Sequence, residues 1–220
     1  VYKRQGVTLL GSSKVDANGQ YSIDLKEFTG VVILRASNQS SGIADYVDEA
    51  TGSVLSISTT LMALGMADPG VSILNINGLT SIAALKAGAN AEVAVSSAGI
   101  TRDVVTQTNA ALADALGVSG IDITKVDPVT TVSATGGANS AYDPTDGVSD
   151  AEKLGAILAA LSGADQLRGG NTGSVLGLLA AQLQQSGATG VLGTQALDLL
   201  VAGANLACLL YTSDAADERS

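Results

Sequence analysis

Asp45, Asp48 and Glu49 stand together in the stretch Asp45-Tyr46-Val47-Asp48-Glu49, the densest group of carboxylates in the chain's first half. Paired carboxylates cleave glycosidic bonds when they face each other across a cleft about 5–10 Å wide. These three instead lie on one short segment, with Tyr46 the only aromatic neighbour to offer a sugar platform. The spacing therefore reads as a solvated acidic loop. A second group, Asp16 and Asn18 with the backbone around Gln20, offers oxygen ligands of the kind calcium takes six to eight of. The same residues also make a tight turn, because Asp and Asn bond nearby amides and Gly19 tolerates positive φ. The turn is the reading favoured here. A third run, Tyr142-Asp143-Pro144-Thr145-Asp146-Gly147-Val148-Ser149-Asp150, has the look of a calcium loop. With Gly147 as the loop glycine, however, Tyr142 and Pro144 fall at ligand positions that neither can fill. It reads as a loop leading into a capped helix.

Other chemistry is excluded by residue type. The sequence contains no histidine and a single cysteine, Cys208. Ser-His-Asp and Cys-His catalysis and imidazole or multi-thiolate metal sites are therefore ruled out. The pairs Gly136-Gly137 and Gly169-Gly170 are not phosphate loops, since no Gly-Lys-Ser/Thr follows either. No catalytic, cofactor-binding or metal-binding residue is assigned, and no cofactor is implied. The net charge of −10 opposes nucleic acid and anionic membrane surfaces. No run approaches the roughly 20 apolar residues of a membrane span, and the amphipathic stretches lack a basic face, so membrane insertion is not expected. Abundant alanine, glycine, serine, threonine, asparagine and aspartate favour an exported bacterial protein.

Two regimes of periodicity must position these residues. In residues 19–25, Tyr21, Ile23 and Leu25 alternate with polar neighbours, the period of a half-buried strand. Residues 31–37, VVILRAS, are β-branched and nearly continuous, as in a strand covered on both faces. Residues 53–57, 60–64 and 71–76 are further strand candidates, with a turn at 67–70. From residue 79 the period becomes helical. One helix is predicted over 79–95, weakened by Gly88, and a second over 101–116, with Thr101 as N-cap and Gly117 as stop. Ser149-Asp150-Ala151-Glu152 is a capping box before Leu154, Ile157, Leu158 and Leu161. Helices over 174–186 and 194–206 follow, separated by loops at 163–173 and 186–190. Small residues on these helices allow close packing but bury little apolar area each.

The stretch VDANGQYSIDLKEFTGVVILRASN (15–38) resembles the signature of carboxypeptidase-regulatory-like, prealbumin-like β-sandwich modules, with Val15 in place of the usual Thr. In that family the first strands precede the signature. The segments YVDEATG (46–52), NINGLTSIAAL (75–85), ALADALGVSGIDIT (111–124) and AEKLGAILAALSG (151–163) are similar to a β-plus-helical unit of large, repetitive, secreted, adhesin-like bacterial surface proteins. That unit commonly carries Pro at the place of Gly78, so Gly78 implies a less fixed helix start. Together the resemblances imply a fold of β-sandwich followed by helices and say little about a ligand.

Both ends look unlike the rest. One coding choice for Val1–Gln5 is the reverse complement of codons for Cys208–Thr212 in a shifted frame, and both resemble a translated sequencing-library adapter. Residues 1–5 and 208–220 are therefore expected to be adapter-derived and poorly packed, in a fragment of a longer reading frame. Removing them takes away three basic and three acidic residues, so the charge is unchanged. The expected organisation is α+β: an N-terminally truncated β-sandwich-like module over 6–77 and an α-helical region over 78–207. The expected function is a non-catalytic structural or adhesion module of a large exported bacterial surface protein, located extracellularly or at the cell surface. Its partners would be neighbouring domains of the parent chain and an extracellular ligand on exposed loops. An accessory carbohydrate- or peptide-binding region of a secreted hydrolase is the alternative.

Overall fold

The computed structural model describes residues 2–3, 9–16, 19–38, 46–89, 100–133, 135, 137–143, 145–170, 172–187 and 190–217, with side chains of 2–3 and 210–217 excepted. The chain is of the α+β class. Its strands are β1 (Tyr2–Lys3), β2 (Gly30–Ala36), β3 (Tyr46–Val47), β4 (Val54–Leu55) and β5 (Leu61–Ala67). Its helices are α1 (Gly78–Lys86), α2 (Arg102–Ala115), α3 (Asp150–Leu167), α4 (Thr172–Gln185) and α5 (Thr194–Asp217).

The antiparallel pair β2–β5 is the centre of a three-stranded sheet ordered β1-β2-β5, with Ile33 opposite Leu64 and Arg35 opposite Met62. Alternation sorts its side chains onto two faces. Val31, Ile33, Met62 and Leu64 pack with Ala84 of α1 and Val105 of α2. Val32, Leu34, Ala63 and Ala67 form the other cluster, covered by Tyr21, Ile23, Leu25, Phe28, Leu74 and Ile76. The continuous apolar run 31–34 is thus buried on both faces, as its composition predicts. Each fully buried Ile or Leu contributes roughly 1.5–3 kcal/mol relative to exposure.

The covering segment departs from expectation. Residues 20–25 alternate half-buried and exposed side chains, yet form no strand, and neither do 71–76. Alternation records which side chains lie on the sheet, and a chain can lay every second residue there without joining the ladder. Tyr21 instead donates its hydroxyl to the carbonyl of Leu74, tying the two covering segments together. Burial pushes the Tyr21 phenol up to about 12. The β-sandwich-like packing expected of residues 6–77 is replaced by this arrangement. One face of the sheet carries helices and the other carries irregular chain, and the second sheet, β3–β4, is a two-residue hairpin pair.

Helix α1 joins the two regimes. Asn77 accepts from the Thr80 amide while Thr80 Oγ1 accepts from the Asn77 amide, a capping box that fixes a start expected to be loose at Gly78. Thr80 and Ser81 are buried, and their hydroxyls reach the edge strand. Ser81 Oγ accepts from Met62 N at 2.8 Å, and Thr80 Oγ1 donates to Met62 O at 2.9 Å. The helix thereby satisfies backbone groups that an edge strand otherwise exposes. Gly88, with φ +87°, ends the helix, and Ala89 N returns to Ala84 O. The predicted continuation beyond 89 lies outside the described residues until 100. From α1, Leu79 and Ile82 enter a third cluster with Leu112, Leu154, Leu161, Leu176, Leu179 and Leu183.

Helix α2 has Thr101 as its N-cap and Gly117 at φ +74° after its end, and α3 starts with the Ser149–Glu152 capping box, all as predicted. Helix α3 runs five residues into the expected loop, through Gly163 to Leu167. That glycine does not break the helix but lets α5 approach. A β-carbon on Gly163 would enter the Gly203 backbone, and one on Gly203 would enter the Ala160 carbonyl. Helix α5 extends beyond the expected 206 to Asp217. Along it Ala196, Gly203 and Ala207 are buried, whereas Cys208 and Leu209 are exposed. At the other end, Tyr2 and Lys3 pair with Ile33 and Val32 of β2.

Candidate functional site

The acidic stretch at 46–49 builds the chain's main polar cluster, and it is not a solvated loop. Asp48 is 2% exposed and Glu49 8%. Asp45 lies outside the described residues. The local fold explains the burial. Tyr46–Val47 pairs with Val54–Leu55, and the turn between them closes by Gly52 N to Asp48 O at 2.8 Å and Asp48 N to Ser53 O at 2.9 Å. Gly52, at φ +65°, takes the left-handed position that such a hairpin turn needs. The hairpin presses its first turn residues against α3.

Each carboxylate finds donors there. Asp48 Oδ1 accepts from the hydroxyl of Ser162 on α3, and Ser162 Oγ in turn accepts from Ala50 N at 3.1 Å. Asp48 Oδ2 accepts from Gln166 Nε2 at 2.8 Å and from Thr51 Oγ1 at 2.5 Å. Glu49 points elsewhere: its Oε2 accepts from Thr131 N at 3.0 Å and Thr131 Oγ1 at 2.6 Å, anchoring the long connection before α3. Burial pushes the Glu49 carboxyl up, the Thr131 hydrogen bonds pull it down, and the Asp48 charge adds to the rise.

A third carboxylate completes the cluster. Asp165, one turn beyond Ser162 on α3, is 5% exposed. Its Oδ2 accepts from Thr172 Oγ1 at 2.7 Å, the first residue of α4. Its Oδ1 is buried without a hydrogen-bond partner. Burial raises its pKa above the ordinary carboxylate range, Thr172 opposes this, and the Asp48 charge reinforces it. Asp48, Glu49 and Asp165 line a cavity of about 150 Å³ whose apolar side is built from Leu61, Leu158, Leu161 and Leu176. Tyr46 and Gly78 also face it.

The other predicted groups are less concentrated. Asp16 Oδ1 accepts from Gln20 N at 2.9 Å, and Gly19 N bonds Asp16 O, so the aspartate serves the turn itself. Asn18 lies outside the described residues. Asp143 Oδ1 accepts from Thr145 N and Oγ1, and its amide bonds Glu152 Oε1. The Glu152 carboxyl is held below its usual range, chiefly by hydrogen bonds from the Ser149 hydroxyl and amide. Pro144 is outside the described residues. Among those described, no group of three or more His, Cys, Asp or Glu is arranged to hold a metal ion.

Sequence reasoning missed Ser162, Asp165, Gln166, Thr131 and Thr172. One signal was available on α3: Ser162, Asp165 and Gln166 sit at helical spacing i, i+3, i+4 directly after the apolar run 154–161. No family model, no curated protein and no solved structure matches this chain.

Proposed function

We propose that the chain is a non-catalytic structural or adhesion module of a large exported bacterial surface protein, working at the cell surface or outside it. The observation that carries this reading is how the clustered acids are used. Asp48 accepts from Ser162, Gln166 and Thr51, and Glu49 Oε2 accepts twice from Thr131. Carboxylates fastened this way hold a hairpin and a long loop onto α3, a structural use of the acids. The negative charge and the adhesin-like resemblance support the same reading. So does the absence of any helix, among the described residues, long and apolar enough to cross a membrane. The hydrolase-accessory alternative needs an exposed aromatic platform. Tyr21, Tyr46 and Tyr142 are all half-buried, so no specific observation favours it.

Sequencing outward from both ends of the reading frame tests the proposal. Tandem copies of this unit behind an export signal are the expected result, and an adjoining catalytic domain would overturn it. On the purified chain, a panel of glycoside, ester and peptide substrates is expected to show no turnover. Turnover lost in Glu49→Gln would defeat the non-catalytic reading outright.

A further inference from the structure

The sequence contains three prolines, and each follows an aspartate: Asp68-Pro69, Asp127-Pro128 and Asp143-Pro144. An Asp-Pro bond carries its own means of cleavage. The aspartate carboxylate reaches its own main-chain carbonyl carbon by closing a five-membered ring, and the proline nitrogen, part of a tertiary amide, departs more readily than an ordinary amide nitrogen. The structure gives the three carboxylates unequal freedom. Asp68 is clamped by Arg102, with Oδ1 2.5 Å from Nη2 and Oδ2 3.4 Å from Nη1. Asp143 Oδ1 accepts from the Thr145 amide at 3.0 Å and from its hydroxyl at 2.5 Å. Asp127 is exposed, and its carboxylate has no hydrogen bond or ion pair among the described residues. The charged groups on the flanking elements are engaged elsewhere: Lys125 with Asp122 at 3.5 Å, Lys153 with Asp150 at 2.8 Å, and Glu152 with Ser149. The main chain is held on both sides of the bond. Val126 O accepts from Asn75 Nδ2 at 2.7 Å, and Val129 N donates to Ala151 O at 3.0 Å, so residues 127 and 128 bridge two anchored points.

We propose that Asp127-Pro128 is a self-cleavage site, which converts the folded chain in mild acid into two polypeptides, 1–127 and 128–220. A carboxylate oxygen of Asp127 forms a bond to the Asp127 carbonyl carbon. The carbon–nitrogen bond to Pro128 breaks, its electron pair goes to nitrogen, and that nitrogen takes up a proton from solvent. Water then opens the cyclic anhydride, leaving a C-terminal aspartic acid and a free N-terminal proline. The sum is one water consumed and no other reactant. Asp68 and Asp143 must give up their donors before either can start the same reaction. The inference goes beyond the scaffold reading and does not rest on it, since a module of any function can carry such a bond.

Incubating the full chain at about pH 4, where a carboxyl is partly ionised, and weighing the products by mass spectrometry tests the proposal. Fragments ending at Asp127 and beginning at Pro128 are expected first. They should form about tenfold or more faster than those from Asp143-Pro144, the scale of one hydrogen bond to a charged group. Asp68-Pro69, whose ion pair is exposed, is expected to lag by a few-fold. In denaturing guanidinium at the same pH the three bonds are expected to cleave at similar rates, because the partners that hold Asp68 and Asp143 are gone. Two variants at this exposed position separate nucleophile from charge. Asp127→Asn removes the carboxylate and is expected to abolish the fragment pair. Asp127→Glu keeps the charge but needs a six-membered ring, and is expected to slow the pair, with the other two bonds unchanged in both variants. The proposal is overturned by any of five results: no cleavage, first cleavage at either other bond, the same preference for Asp127-Pro128 in the denatured chain, fragments persisting in Asp127→Asn, or cleavage that begins only after circular dichroism shows unfolding.

Discussion

At the scale of single residues, two pairs of acids in this chain respond to pH in opposite ways. Glu49 and Asp165 hold their protons more tightly when folded, because burial disfavours the anion. For such groups the stabilising contribution is complete below the unfolded value, roughly 4 for a carboxyl, and is lost as pH rises through the folded one. Glu152 and Asp143 are held below their usual range, so their contribution is present above the unfolded value and lost as pH falls through the folded one. Melting temperature is therefore expected to fall as pH rises above the ordinary carboxylate range, and to fall less steeply in Glu49→Gln. Identical slopes in wild type and variant, measured by calorimetry, would show that Glu49 does not titrate differently on folding. The acidic stretch was legible as a cluster, but its burial was not. Burial depends on Ser162, Gln166 and Thr131, which lie some 80 to 120 positions away in sequence, and no local window contains both partners.

At the scale of elements, glycine content in a helix means different things at different places. Gly203 lies against α3 with no room for a β-carbon, whereas Gly177 on α4 has open space around it. Gly203→Ala is expected to cost about 3 kcal/mol or more, the scale of a severe core overpacking. Gly177→Ala should instead stabilise by roughly 0.5–1 kcal/mol, the helix-propensity difference alone. Urea unfolding of the two variants checks both signs at once. Elements whose start or stop is written in local chemistry were legible: α2 from Thr101 and Gly117, α3 from Ser149 and Glu152, and β2 from its apolar run. Elements defined by distant backbone were not. Residues 20–25 and 71–76 carry strand patterning, but ladder hydrogen bonds require a neighbour, and the pattern cannot report whether one is there. The same blindness placed the end of α3 at Gly163, because a close helix crossing and a helix stop both call for glycine.

At the scale of the whole molecule, the boundary expected at 77/78 runs through shared structure. One apolar cluster unites Ile33 and Leu64 of the sheet with Ala84 and Val105 of the helices, and Met62 is hydrogen-bonded on both its amide and carbonyl by α1. A polypeptide cut at that point is expected to leave both pieces unfolded by circular dichroism, and the full chain to melt in one calorimetric transition. Two separated transitions would refute the shared core. The crossing of α3 and α5 adds a different property. Its centre is backbone on backbone, so attraction there rests on many short-range contacts that fade within a fraction of an ångström, with little apolar area behind them. Such a contact has almost no intermediate stage: α5 gains nearly nothing until it is fully seated. Its amides should therefore exchange with solvent as one block, with a common opening free energy, rather than fraying residue by residue from either end.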